Sequence, residues 1–377
     1  MGWEMVKLGD VAEIVMGQAP KGADTSEEPV GIPLIAGAGD FTATGIKCTK
    51  YASKTPRLCK PGDVILSIRA TIGTYRIADD KYCIGRGVAA IRPKSESITH
   101  EFLPFLLRHM KPQLMRQARG ATFLQVSKAD IADSPAPLPP LEEQQRIAKI
   151  LNAALSMTEL FQKQLGEVLD LKHNLVHAAL VSSTIERVPL QELVTVNPKQ
   201  RRGIPDETPT TFVAMSDVDE RLGLCSHTSG TVGEYKKGYT AFAQDDVLVA
   251  KITPCFENGK SAIASIPTEL GHGSTEFHVL RVKDTSRTSP EIIWSLMKSK
   301  AFLAEGENSM RGSSGHRRVP DWFIKKYPVP VFDKEKTMSL TKQLTSLDQV
   351  ADHINQKIGL SKELYASLSS RAFSREL

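Results

Sequence analysis

Residues 137–151 read PLPPLEEQQRIAKIL. Proline fixes φ and carries no amide donor, so the opening residues stop regular structure. Glu142 and Glu143 follow, where the positive end of a helix dipole favours carboxylates. The stretch therefore reads as the exit of a globular domain and the launch of a long helix. Downstream, Ile147, Ala154, Phe161, Val168 and Leu175 recur at heptad spacing. Ile150, Met157 and Leu171 extend that seam on one side; Leu151, Leu165 and Ala179 widen it on the other. A stripe this broad predicts contact with more than one surface. No proline interrupts it before Pro189.

The chain is written twice. Each half opens on a similar phrase, MVKLGDVAEIV and RVPLQELVTVN. Each then has an Asp-Val strand (PGDVILSIRATIG, QDDVLVAKITPC), a second strand ending on a basic residue (GVAAIRP, EFHVLRV) and a helical segment (EFLPFLLRHMKPQLMRQ, EIIWSLMKSKAFLAEGE). An Arg-Gly loop follows, beginning at Arg119 and at Arg311, and then Pro-X-Pro and a long helix. The order of six elements matches although identity is low. The period far exceeds that of stacked repeats, so this is domain duplication. Short β-branched runs predict strands and three-four apolar spacing predicts helices.

The second long helix follows VPVF. Leu340, Leu347, Ile354 and Leu368 form one row; Leu344, Ala351, Ile358 and Tyr365 form the other, with Ser361 the weak position. Each helix is roughly 35–40 residues, on the order of 50–60 Å at 1.5 Å per residue. A helix this long is seldom stable alone. The expectation is an α+β chain: two similar mixed α/β globular halves separated by two long helices packed as an antiparallel coiled coil, related by a pseudo-twofold. The boundaries fall at 1–140, 141–184, 185–332 and 333–377.

Composition sets the class. The 377 residues are 41% hydrophobic and 24% charged, with net charge +5, which suits a soluble multidomain protein with a slight leaning to polyanions. No apolar run is long enough to span a bilayer. The mixed-charge N-terminus does not read as a secretory signal, and Val6 replaces the Ser or Thr of a myristoylation signal. Five scattered cysteines without a CxxC pair point to reduced thiols in a cytoplasm and away from structural zinc.

The PLPPLEEQQRIAKIL phrase, the two halves, the helix after each, the VLVAKITPCFENGK stretch and the RGSSGHRRVP loop together resemble the specificity subunit of Type I restriction–modification enzymes. The likeness runs over nearly the whole chain. It implies that the halves are target-recognition domains, each reading one part of a bipartite, asymmetric double-stranded DNA sequence. It also implies helices that act as a ruler and dock methyltransferase subunits, with a restriction/translocase subunit joining the assembly. The chain itself would be non-catalytic and hold no cofactor; S-adenosylmethionine, ATP and Mg²⁺ would sit on the partners. Two readers on a stiff spacer could span about one turn of DNA, roughly 34–36 Å. The second half departs in one place: PVPVFDKEKTMSLTKQL lacks the PLPPLEEQ phrase, which questions how alike the two docking surfaces are.

Candidate DNA contacts follow from side-chain chemistry. Glycine lets backbone approach phosphate, and arginine can grip guanine with two bonds. The second Arg-Gly loop offers Arg311, Ser313, Ser314, His316, Arg317 and Arg318; the alternative is a solvated basic loop. Its counterpart offers Arg116, Arg119, Thr122, Gln125 and Lys128, where ATFLQV could equally be a buried strand. In SIRATIGTYR, Arg69, Thr71, Thr74 and Arg76 alternate with apolar residues, as in a half-buried strand with one face on a groove or an ordinary edge strand. Lys251, Thr253, Asn258 and Lys260 are the corresponding set. Lys199, Arg201 and Arg202 form the densest basic run of the second half. Arg, Gln, Asn and His suit base edges, whereas Lys more often positions backbone.

Active-site motifs fail on inspection. The GKS at 259–261 lacks the first glycine of a phosphate loop, Pro254 standing there. Asn197-Pro198 is followed by Lys and Gln and not by the residues of an amino-methyltransferase. FDKEK lacks a strand carrying a second nuclease carboxylate, and no histidine pair has zinc spacing. Two rival readings stay open at this point: a stand-alone DNA-processing enzyme with an unrecognised site, and a coiled-coil scaffold without DNA preference.

Overall fold

The computed structural model describes the chain except for residues 1–2, 43–44, 95, 121–123, 182–185, 201–202, 236 and 314. It divides into two compact units: Met1–Glu159 with Gly359–Leu377, and Leu160–Ile358. Each is mixed α and β, as the sequence predicts.

In the first unit, strand Glu4–Lys7 pairs antiparallel with Pro135–Leu138 in a two-stranded ribbon. Prolines are tolerated there because no further strand needs their missing amides. The first long helix, Leu141–Val181, leaves directly from this ribbon. Gln144 fixes its first turn. That buried amide donates to Ser97 O at 2.7 Å and Pro139 O at 2.9 Å, and accepts from Thr99 N at 2.9 Å.

The main sheet of this unit runs in the order Ala12–Met16, Val88–Pro93, Val64–Ser67, Tyr75–Ile77, all antiparallel. Both of its faces are covered, so the central strands are apolar throughout. Val64 and Leu66 enter one core with helix Leu103–Gln117; Ile65 points to the other with Ile35, Ile84 and Ala90. A second sheet joins Thr25–Ser26, Lys50–Ala52, Ile32–Ile35 and Cys83–Ile84, the last pair parallel.

The second unit repeats this plan by itself. Arg187–Pro189 pairs with Pro328–Pro330 in the ribbon. The main sheet is Val194–Val196, Phe277–Val282, Val247–Ala250, Ser261–Ile263, again antiparallel. The other sheet is Thr228–Thr231, Pro209–Val213, Leu270–Gly273, Thr240–Ala243, with the middle pair parallel. The helical segment expected to be continuous is two helices, Pro290–Met297 and Lys300–Ser309. Ser299 separates them and caps the second, its Oγ accepting from Phe302 N at 3.3 Å. The second long helix, Lys334–Ser374, begins at Asp333, whose carboxylate accepts from Lys336 N at 2.7 Å. That cap explains the different phrase before this helix. Thr337, at the place held by Gln144, is buried with its hydroxyl unpaired among the described residues.

Within each unit the two long helices pack antiparallel. In the first, Arg146 reaches the carbonyl of Leu377 at 3.0 Å and Thr158 meets Ser361 at 2.9 Å, with Ala154, Tyr365 and Ala372 buried between. In the second, Leu165, Ala351, Ile354 and Ile358 form the seam and Lys172 donates to Asp348. Two seam assignments are corrected. Met157 and Leu171 are exposed, and the polar residues beside them, Thr158 and Lys172, are buried instead. Ser361, the apparent weak position, is buried as the partner of Thr158.

Candidate nucleic-acid interface

The site in the first unit grows from the end of strand Val64–Ser67. Ile68 N donates to Gly87 O at 3.0 Å, and Val126 N donates to Ile68 O at 3.1 Å. Arg69 and Arg119 both form backbone bridges with Gln125, so the Arg-Gly loop lies beside the strand end. Arg69 Nε donates to Gln125 Oε1 at 2.7 Å. The chain then reverses. Gly73 N donates to Ser67 O at 3.0 Å, Ser67 Oγ donates to Arg69 O at 3.0 Å, and Ala70 takes a φ of 54°, rare for alanine. Residues 68–74 are therefore a turn and not the alternating strand the sequence suggests.

That turn brings Arg69, Thr71, Thr74 and Arg76 to one open groove of about 560 Å³, faced by the backbone of 36–39 and by Arg86. Arg76 is fixed in place. Its Nε donates to Thr42 O at 2.7 Å and its Nη1 to Tyr75 O at 2.7 Å, and its guanidinium stands 5.8 Å from the Phe41 ring centroid. Arg86 is exposed and has no hydrogen-bond or ion-pair partner among the described residues. Three guanidiniums line the groove without a carboxylate among its lining residues, so it attracts anions.

Nearby candidates differ in their fate. Arg116 is exposed in the last turn of helix Leu103–Gln117, and Lys128 is exposed at the start of Lys128–Ala132. Arg119 stands 3.8 Å from Asp130. Hydrogen bonds from Ser127, and then the charge of Arg119, hold the Asp130 carboxyl below its usual range. Thr122 lies outside the described residues.

The second unit builds the same crossing from different side chains. Lys251 N donates to Glu276 O and Val319 N to Lys251 O, each at 2.8 Å. Arg318 bridges both Ile252 and Arg311, as Gln125 bridges Arg69 and Arg119. Gly120 and Gly312 follow the loop arginines at φ 139° and 120°, a conformation open to glycine. Here the cations meet carboxylates. Arg318 clamps Glu276 with bonds of 2.9 and 2.8 Å, and this holds the Glu276 carboxyl below its ordinary range. Arg317 lies 3.5 Å from Glu257 and 3.8 Å from Glu307, and Thr253 donates to Glu257 at 2.7 Å. Arg311, Ser313 and His316 are exposed on the loop.

Asn258 and Lys260 are not part of this cluster's contacts. Asn258 donates to Glu220 at 2.9 Å, and Lys260 to Met215 O at 3.2 Å. Lys199 is exposed; Arg201, Arg202 and Ser314 lie outside the described residues. Sequence reasoning missed Arg86, hidden between two glycines ahead of the strand, and Glu276, which reads as an ordinary strand-leading acid.

Residues 1–170 match the pattern of the Type I restriction modification DNA specificity domain. The chain is similar to the type I restriction enzyme EcoEI specificity subunit of Escherichia coli, 35% identical over 185 residues, and to the EcoAI specificity subunit of the same organism, 32% identical over 185 residues. Each alignment covers 48% of this chain and 31% of the relative. The chain thus spans about a third of the length of those relatives. Its fold is similar to the crystal structure of a Type-I restriction-modification system S subunit from M. genitalium, with TM-score 0.62 and 13% identity over 99% of this chain and 96% of that one. No described helix is long and apolar enough to cross a membrane. The likeness to the Type I restriction modification DNA specificity domain thus runs over residues 1–170, a little under half of the chain.

Proposed function

We propose that this chain recognises double-stranded DNA as the specificity subunit of a Type I restriction–modification assembly. Each unit reads one part of a bipartite, asymmetric target. The observation that carries this reading is the repeated crossing of strand end and Arg-Gly loop in two chemically unlike versions. One carries Arg69, Gln125, Arg76 and Arg86 around an acid-free groove; the other carries Arg311, Arg317 and Arg318 against Glu257 and Glu276. Equal scaffolds with unequal side chains predict unequal half-sites, because base edges are read by side chains while backbone and cations set position. Methyl transfer and cleavage then belong to partner methyltransferase and restriction/translocase subunits, which hold S-adenosylmethionine, ATP and Mg²⁺.

Selection from random duplex pools, with and without the methyltransferase subunit, tests the reading. The expected product is two short conserved blocks separated by a fixed gap. One continuous block, or methylation or cleavage by the purified chain alone, overturns it.

A further inference from the structure

Away from the DNA-reading crossing, the second unit holds a cluster that the proposed function leaves unused. Trp294 lies in helix Pro290–Met297, its indole Nε1 donating to Ser261 O at 3.0 Å. Two ammonium groups stand over its ring: Lys172 at 3.8 Å and Lys298 at 4.2 Å from the centroid. They line a cavity of about 230 Å³ together with Arg221, Asn258 and Ser295. Two carboxylates, Asp170 and Glu220, line it as well. Asp348 is held by Lys172, Glu220 accepts from Asn258, and Asp170 is exposed. Lys298 and Arg221 have no carboxylate within ion-pair distance among the described residues; Lys298 donates only to the Arg221 carbonyl, at 2.9 Å. Ser295 is 8% exposed and its buried hydroxyl has no hydrogen-bond partner among the described residues. A native buried hydroxyl is ordinarily satisfied.

We infer that this cavity binds a small tetrahedral oxyanion of the phosphate or sulfate class, with Lys298 and Arg221 as its charge partners and the Asn258 amide as a candidate donor. Such an anion supplies acceptors to the Lys298 ammonium and the Arg221 guanidinium, which lack a carboxylate partner among the described residues. The surroundings of Lys298 agree. Burial, and then the charge of Lys172, bring its ammonium down to about 7, against the opposing pull of Asp219, Asp348 and Cys225. A bound anion restores the proton, so binding and protonation are linked.

Sulfate is the probe, because its charge is constant between pH 6 and 8. Calorimetry on the full chain should show one saturable site with proton uptake, and affinity should fall about tenfold from pH 6 to pH 8 as Lys298 loses its proton. Lys298→Met and Arg221→Gln should each weaken binding at least about tenfold, the exposed Arg221 serving as the variant that leaves the core intact. Absence of a saturable site, a pH-independent affinity, or full affinity in both variants overturns the inference. Competition separates the sources of the anion. Displacement of sulfate by a duplex assigns the site to a DNA phosphate; failure of a duplex to displace it assigns a free oxyanion. Loss of sequence selection with sulfate binding intact counts against the proposed function and not against this site.

Discussion

Arg318 and Glu276 are joined by two parallel hydrogen bonds, Nε to Oε2 at 2.9 Å and Nη2 to Oε1 at 2.8 Å. The pair holds an arginine of the second Arg-Gly loop against the start of a core strand. Glu276→Gln keeps the shape and removes the negative charge. The expected result is tighter non-specific duplex binding, with the slope of log affinity against log salt steeper by about 1. Fluorescence anisotropy across a salt series measures it, and an unchanged slope means that Arg318 stays out of reach of phosphate.

The same pair fixes a pH dependence. Hydrogen bonding from Arg318 lowers the Glu276 carboxyl, so its contribution to stability is present above its ordinary value of 4.5 and is lost as pH falls through the lowered value. Denaturation midpoints of wild type and Glu276→Gln should therefore converge in acid and separate above pH 4.5. Parallel curves across that window reject the assignment.

Half-site specificity can be dissected one arginine at a time. Arg86→Ala should relax selection in one block of the target, and Arg317→Ala in the other, each by about 1–3 kcal/mol if the guanidinium grips a base. Sequencing of selected duplexes distinguishes this from uniform weakening, the mark of a phosphate contact.

Gly306 gives a stability prediction that runs against helix propensity. It lies inside helix Lys300–Ser309, where alanine is ordinarily better by about 1 kcal/mol. A Cβ there would stand 2.2 Å from Phe256 Cζ, and that ring is buried. Gly306→Ala should thus cost about 1–3 kcal/mol through overpacking. Urea denaturation reads the outcome, and a stabilised variant would show that the ring moves freely.

Lys172 and Asp348 offer a double-mutant test. Burial pushes the lysine down and the carboxyl up, which shows how costly both charges are. Asp348→Leu alone should lose about 3 kcal/mol by stranding the ammonium, while Lys172→Met with Asp348→Leu should recover most of that loss. Chemical denaturation of Asp348→Leu, Lys172→Met and the double variant checks it; additive losses would mean the two do not interact.

Much of the fold was legible in the residues. Strands such as Val247–Ala250, buried on both faces, read as unbroken apolar runs, and the duplicated order of elements survived low identity. The helix seam was partly misread because its positions at 158 and 172 are Thr and Lys, while the neighbouring Met157 and Leu171 look more apolar. Two-residue strands such as Cys83–Ile84 depend on distant partners and leave no local pattern. Arg69 and Arg76 were named from their phrase, and both line the groove. Asn258 and Lys260 were grouped with Lys251 and Thr253, but the longer turn of the second unit carries them to Glu220 and Met215. Arg86 left no signal beyond a lone arginine between glycines.

The contacts of Thr158 with Ser361 and of Lys172 with Asp348 each tie one long helix to the other. Sliding the second helix by seven positions would set Lys172 against Thr341 or Asn355, neither of them acidic. Each pair therefore behaves as a key cut for one alignment. Hybrids that take their two long helices from different parents should assemble only when both members of a pair descend from the same parent, however well the apolar positions agree.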